Sequence, residues 1–138
     1  VRRQVHLVFQ WRNKRRGMSD LTIYHNPGCS KSRQTLELIR GKGVEPNIVL
    51  YLEDVPSEED IADALRMLGM KPLDIIRKNE AEFKEHFAGA SELTDAQLIE
   101  LMRLYPKVIE RPIVVNKGRA IIGRPPENVT GLLKARHD

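Results

Sequence analysis

Four short runs of apolar and β-branched residues predict the strands of this protein. Leu21–His25 ends at an Asn-Pro-Gly turn, and Asn47–Leu52 is so apolar that we expect both of its faces to be buried. Pro112–Asn116 and Arg119–Gly123 are separated only by a Lys-Gly turn, which is typical of an antiparallel hairpin. The predicted strands therefore form two groups, one before residue 53 and one after residue 111.

Apolar residues at helical spacing predict helices between these strands. Lys31–Lys42 carries Leu36 and Ile39 on one face, and the glycines near its end are suited to stop a helix. Thr94 with Gln97 gives the capping-box pattern at the start of a second helix. Further helices are predicted to begin after Ser57, after Pro72 and after Pro126.

The predicted elements follow the order β-α-β, then helices, then β-β-α. A strand, a helix and a strand this close together form a βαβ unit with parallel strands and a right-handed crossover. The order resembles that of a thioredoxin-like α/β domain, in which a mixed four-stranded sheet carries an inserted helical lobe. We therefore expect residues 18–138 to form a single domain of this class, with the helical insertion at approximately residues 57–106.

Residues 1–17 differ from the remainder of the chain in their charge. They contain six of the 23 Lys and Arg residues and none of the 19 Asp and Glu residues. Their apolar stretch, Val5–Phe9, is shorter than the core of a signal peptide, and Met18 is suited to be the natural start. We expect a non-native or disordered leader that lies outside the fold. A basic arm that binds phosphate-rich partners is the alternative.

Charge and hydropathy argue against two classes of partner. The formal net charge is +4, but the leader accounts for it, and residues 18–138 show no basic stripe for nucleic acid. No apolar run approaches the roughly 18–20 residues that span a membrane, so we expect neither a nucleic-acid nor a membrane partner.

A single cysteine cannot form an internal disulfide, which favours the reducing cytoplasm. A monomer is the default expectation.

Cys29, the only cysteine, lies where the first predicted strand gives way to the first helix. The N–H groups at a helix N-terminus bind anions, and they lower the pKa of a thiol placed there. Ser32 could donate a hydroxyl hydrogen bond to the sulfur or to an anion, while Arg33 could add positive charge or face solvent. An inert, buried cysteine is the alternative, but the polar neighbours of Cys29 favour a reactive thiolate.

Other sites built on a tight turn or a cysteine do not fit this segment. A P-loop would need a Gly-Lys-Ser or Gly-Lys-Thr sequence, which is missing here. One cysteine and four scattered histidines give no ligand pairs at metal spacing, so no metal site is predicted. Ser32 occupies the second position of a C-x-x-C motif. Any resolving thiol must therefore come from another molecule.

The segment "YHNPGCSKSRQTLELI", Tyr24–Ile39, resembles the active-site segment of the glutaredoxin-coupled arsenate reductase family, whose loop is H-N-P-x-C-x-x-S-R. The resemblance continues in "IIRKN", "ERPIVV" and "GRPPE", and it covers nearly all of residues 20–133. The short chain is similar to the chromosomal type of these enzymes. Spx- and YffB-like relatives share the thioredoxin-like fold, so the resemblance implies the fold more firmly than the activity.

The resemblance implies a role for each residue of the site. Cys29 is the nucleophile, and His25 matches a family histidine that lowers the cysteine pKa; capping of the backbone is the alternative role for His25. A tetrahedral oxyanion is well served by planar guanidinium groups. The implied substrate-binding set is Arg77, Arg111 and Arg124. A cis peptide bond is implied before Pro112. The remaining supporting residues are Asn26, Ser32 and Arg33.

The resemblance also implies the reaction and its partners. The Cys29 thiolate attacks arsenate or a similar oxyanion, glutathione acts as co-substrate, and glutaredoxin clears the mixed disulfide. No bound cofactor is implied. Two alternatives stay open: a redox-sensing transcriptional regulator of the Spx type, which Ser32 in place of a second cysteine disfavours, and a glutathione-dependent thiol oxidoreductase without arsenic specificity.

Overall fold

The computed structural model describes residues 20–134, and these divide into two compact units. The first unit contains the described residues up to Leu50 and those from Arg111 onward, and the second is Tyr51–Glu110. The second unit contains the segment that was predicted to be a helical lobe. The prediction of a leader at residues 1–17 lies outside the described residues.

The first unit is built on a mixed four-stranded sheet, as predicted. Its strands are β1 (Leu21–His25), β2 (Asn47–Leu50), β3 (Ile113–Asn116) and β4 (Arg119–Ile122). The spatial order is β2-β1-β3-β4. β1 and β2 run parallel, whereas β1–β3 and β3–β4 are antiparallel. The predicted βαβ unit and the predicted hairpin are therefore both confirmed.

β2 is an edge strand, which corrects one prediction from the sequence. It ends at Leu50 rather than at residue 52, and Ile48 is 38% exposed. The expectation that both faces of this run are buried is wrong, because apolar composition alone does not distinguish a central strand from an edge strand.

One face of the sheet packs on two helices, α1 (Ser30–Gly41), which connects β1 to β2, and α5 (Val129–Lys134) near the C-terminus. A 3-10 turn, Pro126–Asn128, precedes α5, so the single helix predicted here is divided in two. The buried cluster between the sheet and the helices comprises Leu21, Ile23, Leu36, Ile39, Val114, Val129, Leu132 and Leu133. This cluster fixes α1, and with it the residue at its N-terminus, against the sheet.

Thr22 in β1 is fully buried, and its hydroxyl oxygen has no hydrogen-bond partner among residues 20–134. Valine has nearly the same shape and suits a strand. Since a buried, unsatisfied hydroxyl is costly, Thr22→Val should raise the free energy of unfolding by about 1 kcal/mol. Urea unfolding measures the change. A loss of stability would show that the hydroxyl is bonded in the folded protein.

The second unit begins with helices whose caps were predicted correctly. In α2 (Glu58–Leu68), the hydroxyl of Ser57 accepts a 3.0 Å hydrogen bond from the Asp60 N–H. In α4 (Asp95–Leu104), Thr94 and Gln97 exchange the two hydrogen bonds of a capping box, at 2.9 and 3.1 Å. A short helix between them, α3 (Ala81–His86), was missed, because it buries no residue and so carries no apolar stripe.

The helix predicted after Pro72 is only a 3-10 turn, Pro72–Ile75. Ile76 is extended, with φ −101° and ψ 129°, and it forms an isolated antiparallel bridge with Ile109. This long-range pairing ends the helical segment, and the local sequence gives no sign of it. Two other 3-10 turns are Ala90–Glu92 and Pro106–Val108. Among the described residues, no helix has the length and hydropathy of a membrane span.

Candidate active site

The turn between β1 and α1 is closed by Asn26. Its side-chain oxygen accepts a 2.9 Å hydrogen bond from the Gly28 N–H, and its carbonyl accepts a 3.0 Å bond from the Cys29 N–H. The side chain of Arg33 adds a 2.7 Å bond to the carbonyl oxygen of Pro27. These bonds fix the loop that presents Cys29 at the start of α1.

Cys29 occupies the N-cap of α1, with an extended backbone at φ −104° and ψ 123°. The thiol is partly exposed. Partial burial raises its pKa, but the N–H groups of Ser32 and Lys31 and the guanidinium of Arg111 together outweigh that effect. The net pKa of Cys29 is therefore lowered. The helix N-terminus and one arginine favour the thiolate, as the sequence predicted.

Two arginines from the C-terminal part of the first unit converge on this sulfur. Arg111 lies within hydrogen-bonding reach of the thiol. The Nη1 atom of Arg124 is 3.8 Å from the Cys29 sulfur and 3.5 Å from the Arg111 carbonyl oxygen. Each arginine directly precedes a cis proline, and the one before Pro112 was predicted. Two members of the expected arginine set thus lie beside the thiol.

The third member of that set, Arg77, belongs to the second unit. There its Nη1 atom lies 3.0 Å from a carboxylate oxygen of Glu110, and its Nε atom lies 3.5 Å from one of Glu80. Its backbone N–H donates a 2.6 Å hydrogen bond to the carbonyl of Val108. The two carboxylates and this bond hold Arg77 within its own unit. Its part in oxyanion binding stays a prediction of the family resemblance.

The Ser32 hydroxyl lies between the loop backbone and His25. It accepts a 3.1 Å hydrogen bond from the Asn26 N–H and lies 2.7 Å from Nδ1 of His25, and the tautomer of His25 decides which of these two groups donates. A hydrogen bond from this hydroxyl to the sulfur or to an anion stays a prediction. The backbone N–H of Ser32 does act on the sulfur, since it lowers the pKa of Cys29. His25 in turn acts on the loop through Ser32.

The pKa of His25 is lowered from its ordinary value of 6.5, first by burial and then by the positive charges of Arg40 and Arg33. The unfolded chain therefore takes up a proton at higher pH than the folded chain does. Acidification below pH 6.5 should destabilise the wild type through this residue, and His25→Gln should lose less stability between pH 7 and pH 5.5. Urea unfolding at both pH values tests this. Equal losses in the two proteins would contradict it.

Sequence reasoning missed two residues behind the site, Thr35 and Gly123. Thr35 is fully buried in α1, and its hydroxyl lies 2.8 Å from the Lys31 carbonyl oxygen and 3.2 Å from that of Gly123. A Cβ atom on Gly123 would lie 2.6 Å from this hydroxyl oxygen, so no side chain fits there. Two features of the sequence could have indicated these residues: a threonine on the apolar face of α1 and a glycine directly before Arg124.

The arrangement can bind an anion and attack it. Backbone N–H groups and guanidinium groups surround a partly exposed sulfur whose charged form they stabilise. The described residues contain no group of three His, Cys, Asp or Glu side chains placed to hold a metal ion. The chemistry that the geometry supports is nucleophilic attack by sulfur on a small oxyanion.

Comparison with known proteins shows the family to which the chain is related. The sequence profile of the ArsC family matches residues 24–132. The uncharacterized protein YfgD of Escherichia coli strain K12 is 49% identical over 108 residues, which cover 78% of this chain and 91% of that protein. An arsenate reductase of Escherichia coli is 41% identical over 117 residues, covering 85% and 83% of the two chains.

A solved structure of a close relative has the same fold. The arsenate reductase from Vibrio cholerae superimposes with a TM-score of 0.78 at 45% identity, and the match covers 80% of this chain and 95% of that one. The thioredoxin-like α/β fold predicted from the order of elements is confirmed. The chain belongs to the ArsC family.

Proposed function

We propose that this protein reduces arsenate to arsenite, with Cys29 as the nucleophile, glutathione as co-substrate and glutaredoxin as the partner that regenerates the thiol. The observation that carries the proposal is the thiol at the N-cap of α1, whose charged form is stabilised by two backbone N–H groups and Arg111. Relatives named arsenate reductase that are 39–41% identical over more than four fifths of this chain support the choice of substrate.

The guanidinium and N–H donors that stabilise the thiolate can also bind arsenate. The anion is tetrahedral and carries several acceptor oxygens, and bidentate guanidinium groups match such oxygens well. Arg111 and Arg124 would hold two of its edges, while the N–H groups at the start of α1 would face a third oxygen. Binding would place the arsenic atom against the Cys29 sulfur, because these donors surround the sulfur.

In the first step, the Cys29 thiolate attacks arsenic(V) and forms a sulfur–arsenic bond. An arsenic–oxygen bond breaks, and its oxygen takes a proton and leaves as water. No electrons are transferred to arsenic at this stage. The protein contributes a nucleophile whose charged form is stabilised, and it places positive charge where the oxyanion develops negative charge.

In the second step, the thiolate of glutathione attacks the Cys29 sulfur. A sulfur–sulfur bond forms, and the electron pair of the sulfur–arsenic bond moves to arsenic, which becomes arsenic(III) and leaves as arsenite. The two thiols supply the two electrons. Glutaredoxin then removes glutathione from Cys29 by thiol exchange. Since the chain has only one cysteine, both further thiols come from other molecules. This need for reduced glutathione agrees with a cytoplasmic location. We include this location and a monomeric state in the proposal.

A coupled assay tests the proposal. Purified protein, arsenate, glutathione, glutaredoxin, glutathione reductase and NADPH are combined, and NADPH oxidation is followed optically. We expect oxidation that requires every component, with one arsenite formed per NADPH consumed. Omission of arsenate is the matched control. Oxidation no faster than this control would remove the proposal.

A second arm separates arsenate reduction from general thiol exchange. The same mixture without arsenate and without glutaredoxin receives a mixed disulfide of glutathione and 2-mercaptoethanol. An arsenate reductase should turn over arsenate much faster than this disulfide, because the cationic donors beside the sulfur have no oxyanion to bind in the second reaction. The opposite preference would support the thiol oxidoreductase that the sequence left open.

A further inference from the structure

The peptide segment that carries Arg124 is fixed at its backbone. The N–H of Gly123 donates a 2.9 Å hydrogen bond to the carbonyl of Pro112, and the N–H of Arg124 donates a 2.9 Å bond to that of Ile122. The segment lies just beyond the end of β4. Its carbonyl groups are bound by side chains from two other elements.

Thr35 binds the first of these carbonyls. Its hydroxyl group lies 3.2 Å from the Gly123 oxygen and also 2.8 Å from the Lys31 oxygen, so one hydrogen is shared between the two acceptors. Both methyl and hydroxyl of Thr35 face Gly123, where a Cβ atom would lie 2.6 Å from the hydroxyl oxygen. The segment therefore rests directly on α1, the helix whose N-terminus holds Cys29.

Asn128 binds the second carbonyl. Its Nδ2 atom is 3.3 Å from the Arg124 oxygen and 3.2 Å from the Ile122 oxygen. Its backbone N–H donates a 3.0 Å hydrogen bond to the carbonyl of Pro125. The two side chains thus restrain the backbone on either side of the Arg124 Cα atom.

We propose that Thr35 and Asn128 are positioning residues that hold the guanidinium of Arg124 beside the Cys29 sulfur. The contact between Nη1 and sulfur is 3.8 Å long, at the outer limit of an N–H···S bond, so a small displacement removes it. A displacement of the Arg124 backbone would move its whole side chain, so a fixed Cα position keeps the guanidinium within reach of the sulfur. Thr35 also keeps Arg124 in register with the N–H donors of the same helix.

The test compares variants by the rate at which iodoacetamide alkylates Cys29 between pH 5 and pH 10. Thr35→Val keeps the shape and removes the hydroxyl, whereas Thr35→Ser keeps the hydroxyl. We expect Thr35→Val to slow alkylation at pH 7 about threefold and to move the profile to higher pH, since the thiolate loses an adjacent cation. Thr35→Ser should restore most of the wild-type rate.

Thr22→Val is the matched control for a buried threonine. It removes a hydroxyl that has no partner among residues 20–134, so the alkylation profile should not change. A double-mutant cycle with Arg124→Ala shows whether Thr35 acts through Arg124. Thr35→Val should have no further effect once Arg124 is absent. An unchanged profile in Thr35→Val, or an equal shift with and without Arg124, would overturn the proposal.

Asn128→Ala provides an independent variant at an exposed position. It should shift the profile in the same direction by a smaller amount, and this shift should also vanish in the Arg124→Ala background. If Thr35→Val fails to fold, the Asn128 variant alone decides the question. The inference rests on the proposed function only in taking Cys29 as the reacting thiol. Alkylation needs no arsenate, so a protein inactive on arsenate could still confirm it.

Discussion

Replacing Cys29 with serine is expected to lower arsenate-dependent NADPH oxidation by at least about a thousandfold. A serine hydroxyl stays protonated near neutral pH, and the structure places no general base beside this atom among the described residues, since His25 is directed to Ser32. The coupled assay measures the loss. Activity above one per cent of the wild type would show that another group attacks arsenic.

The same variant should fold at least as well as the wild type. Cys29 has the backbone conformation of an N-cap, yet its side chain makes no capping hydrogen bond of ordinary geometry. Serine is among the preferred capping residues, so Cys29→Ser should gain about 0.5 kcal/mol in the free energy of unfolding. Urea unfolding at acid pH, where the difference between the two proteins no longer changes with pH, isolates this effect. The active thiol therefore occupies its position at a small cost in stability.

The stability difference should depend on pH. The pKa of Cys29 is lower in the folded protein than its ordinary value, so the thiolate stabilises the fold above the unfolded pKa, and this contribution is lost as the pH falls through the folded pKa. The wild type should therefore recover stability relative to Cys29→Ser as the pH rises from 5 to 9. A constant difference over this range would contradict the lowered pKa.

Arg111→Ala is expected to reduce kcat/KM for arsenate by about two orders of magnitude. Arg111 contributes twice, because it lowers the pKa of Cys29 and because its guanidinium is placed to bind the oxyanion. Initial rates of the coupled assay give kcat/KM, and the pH profile of alkylation by iodoacetamide gives the thiol pKa. Both should change in the same variant, with the pKa moving upward.

Arg119→Lys is the matched control for this substitution. Arg119 is an exposed residue at the start of β4, and a lysine there keeps the charge. Its activity should equal that of the wild type. Arg111→Ala with undiminished arsenate turnover would contradict the proposed anion site. Arg111→Lys should recover only part of the activity, because a lysine cannot bind two oxygens in a planar, bidentate way.

Features set by neighbouring residues were predictable from the sequence. The caps at Ser57 and Thr94 depend on residues three positions away, and both were found as predicted. The predicted hairpin of β3 and β4 depends on a two-residue turn. The 3-10 turn after Pro72 was not predictable in this way, because it ends where Ile76 pairs with Ile109. Long-range pairing overrode the local helical pattern.

In the candidate site, too, local features were predictable from the sequence and long-range contacts were not. The position of Cys29 at a helix N-cap follows from the turn that precedes it, and the family motif indicated Arg111 and Arg124. The partner of the Ser32 hydroxyl could not be derived, because it depends on the orientation of His25 in the strand before the turn. Thr35 lies 88 positions from its partner Gly123, a separation at which local patterns carry no information.

The first unit is interrupted in sequence by the second, and this has a consequence for a chain still under synthesis. β1 pairs with β3 through Leu21 and Asn116, with all of Tyr51–Glu110 between them. A nascent chain therefore exposes its cysteine long before either arginine beside that cysteine has been translated. Until the C-terminal segment emerges and pairs, the Cys29 sulfur lacks the guanidinium groups of Arg111 and Arg124. The thiol therefore gains its full reactivity only after Arg124 has been synthesised and β3 has paired with β1.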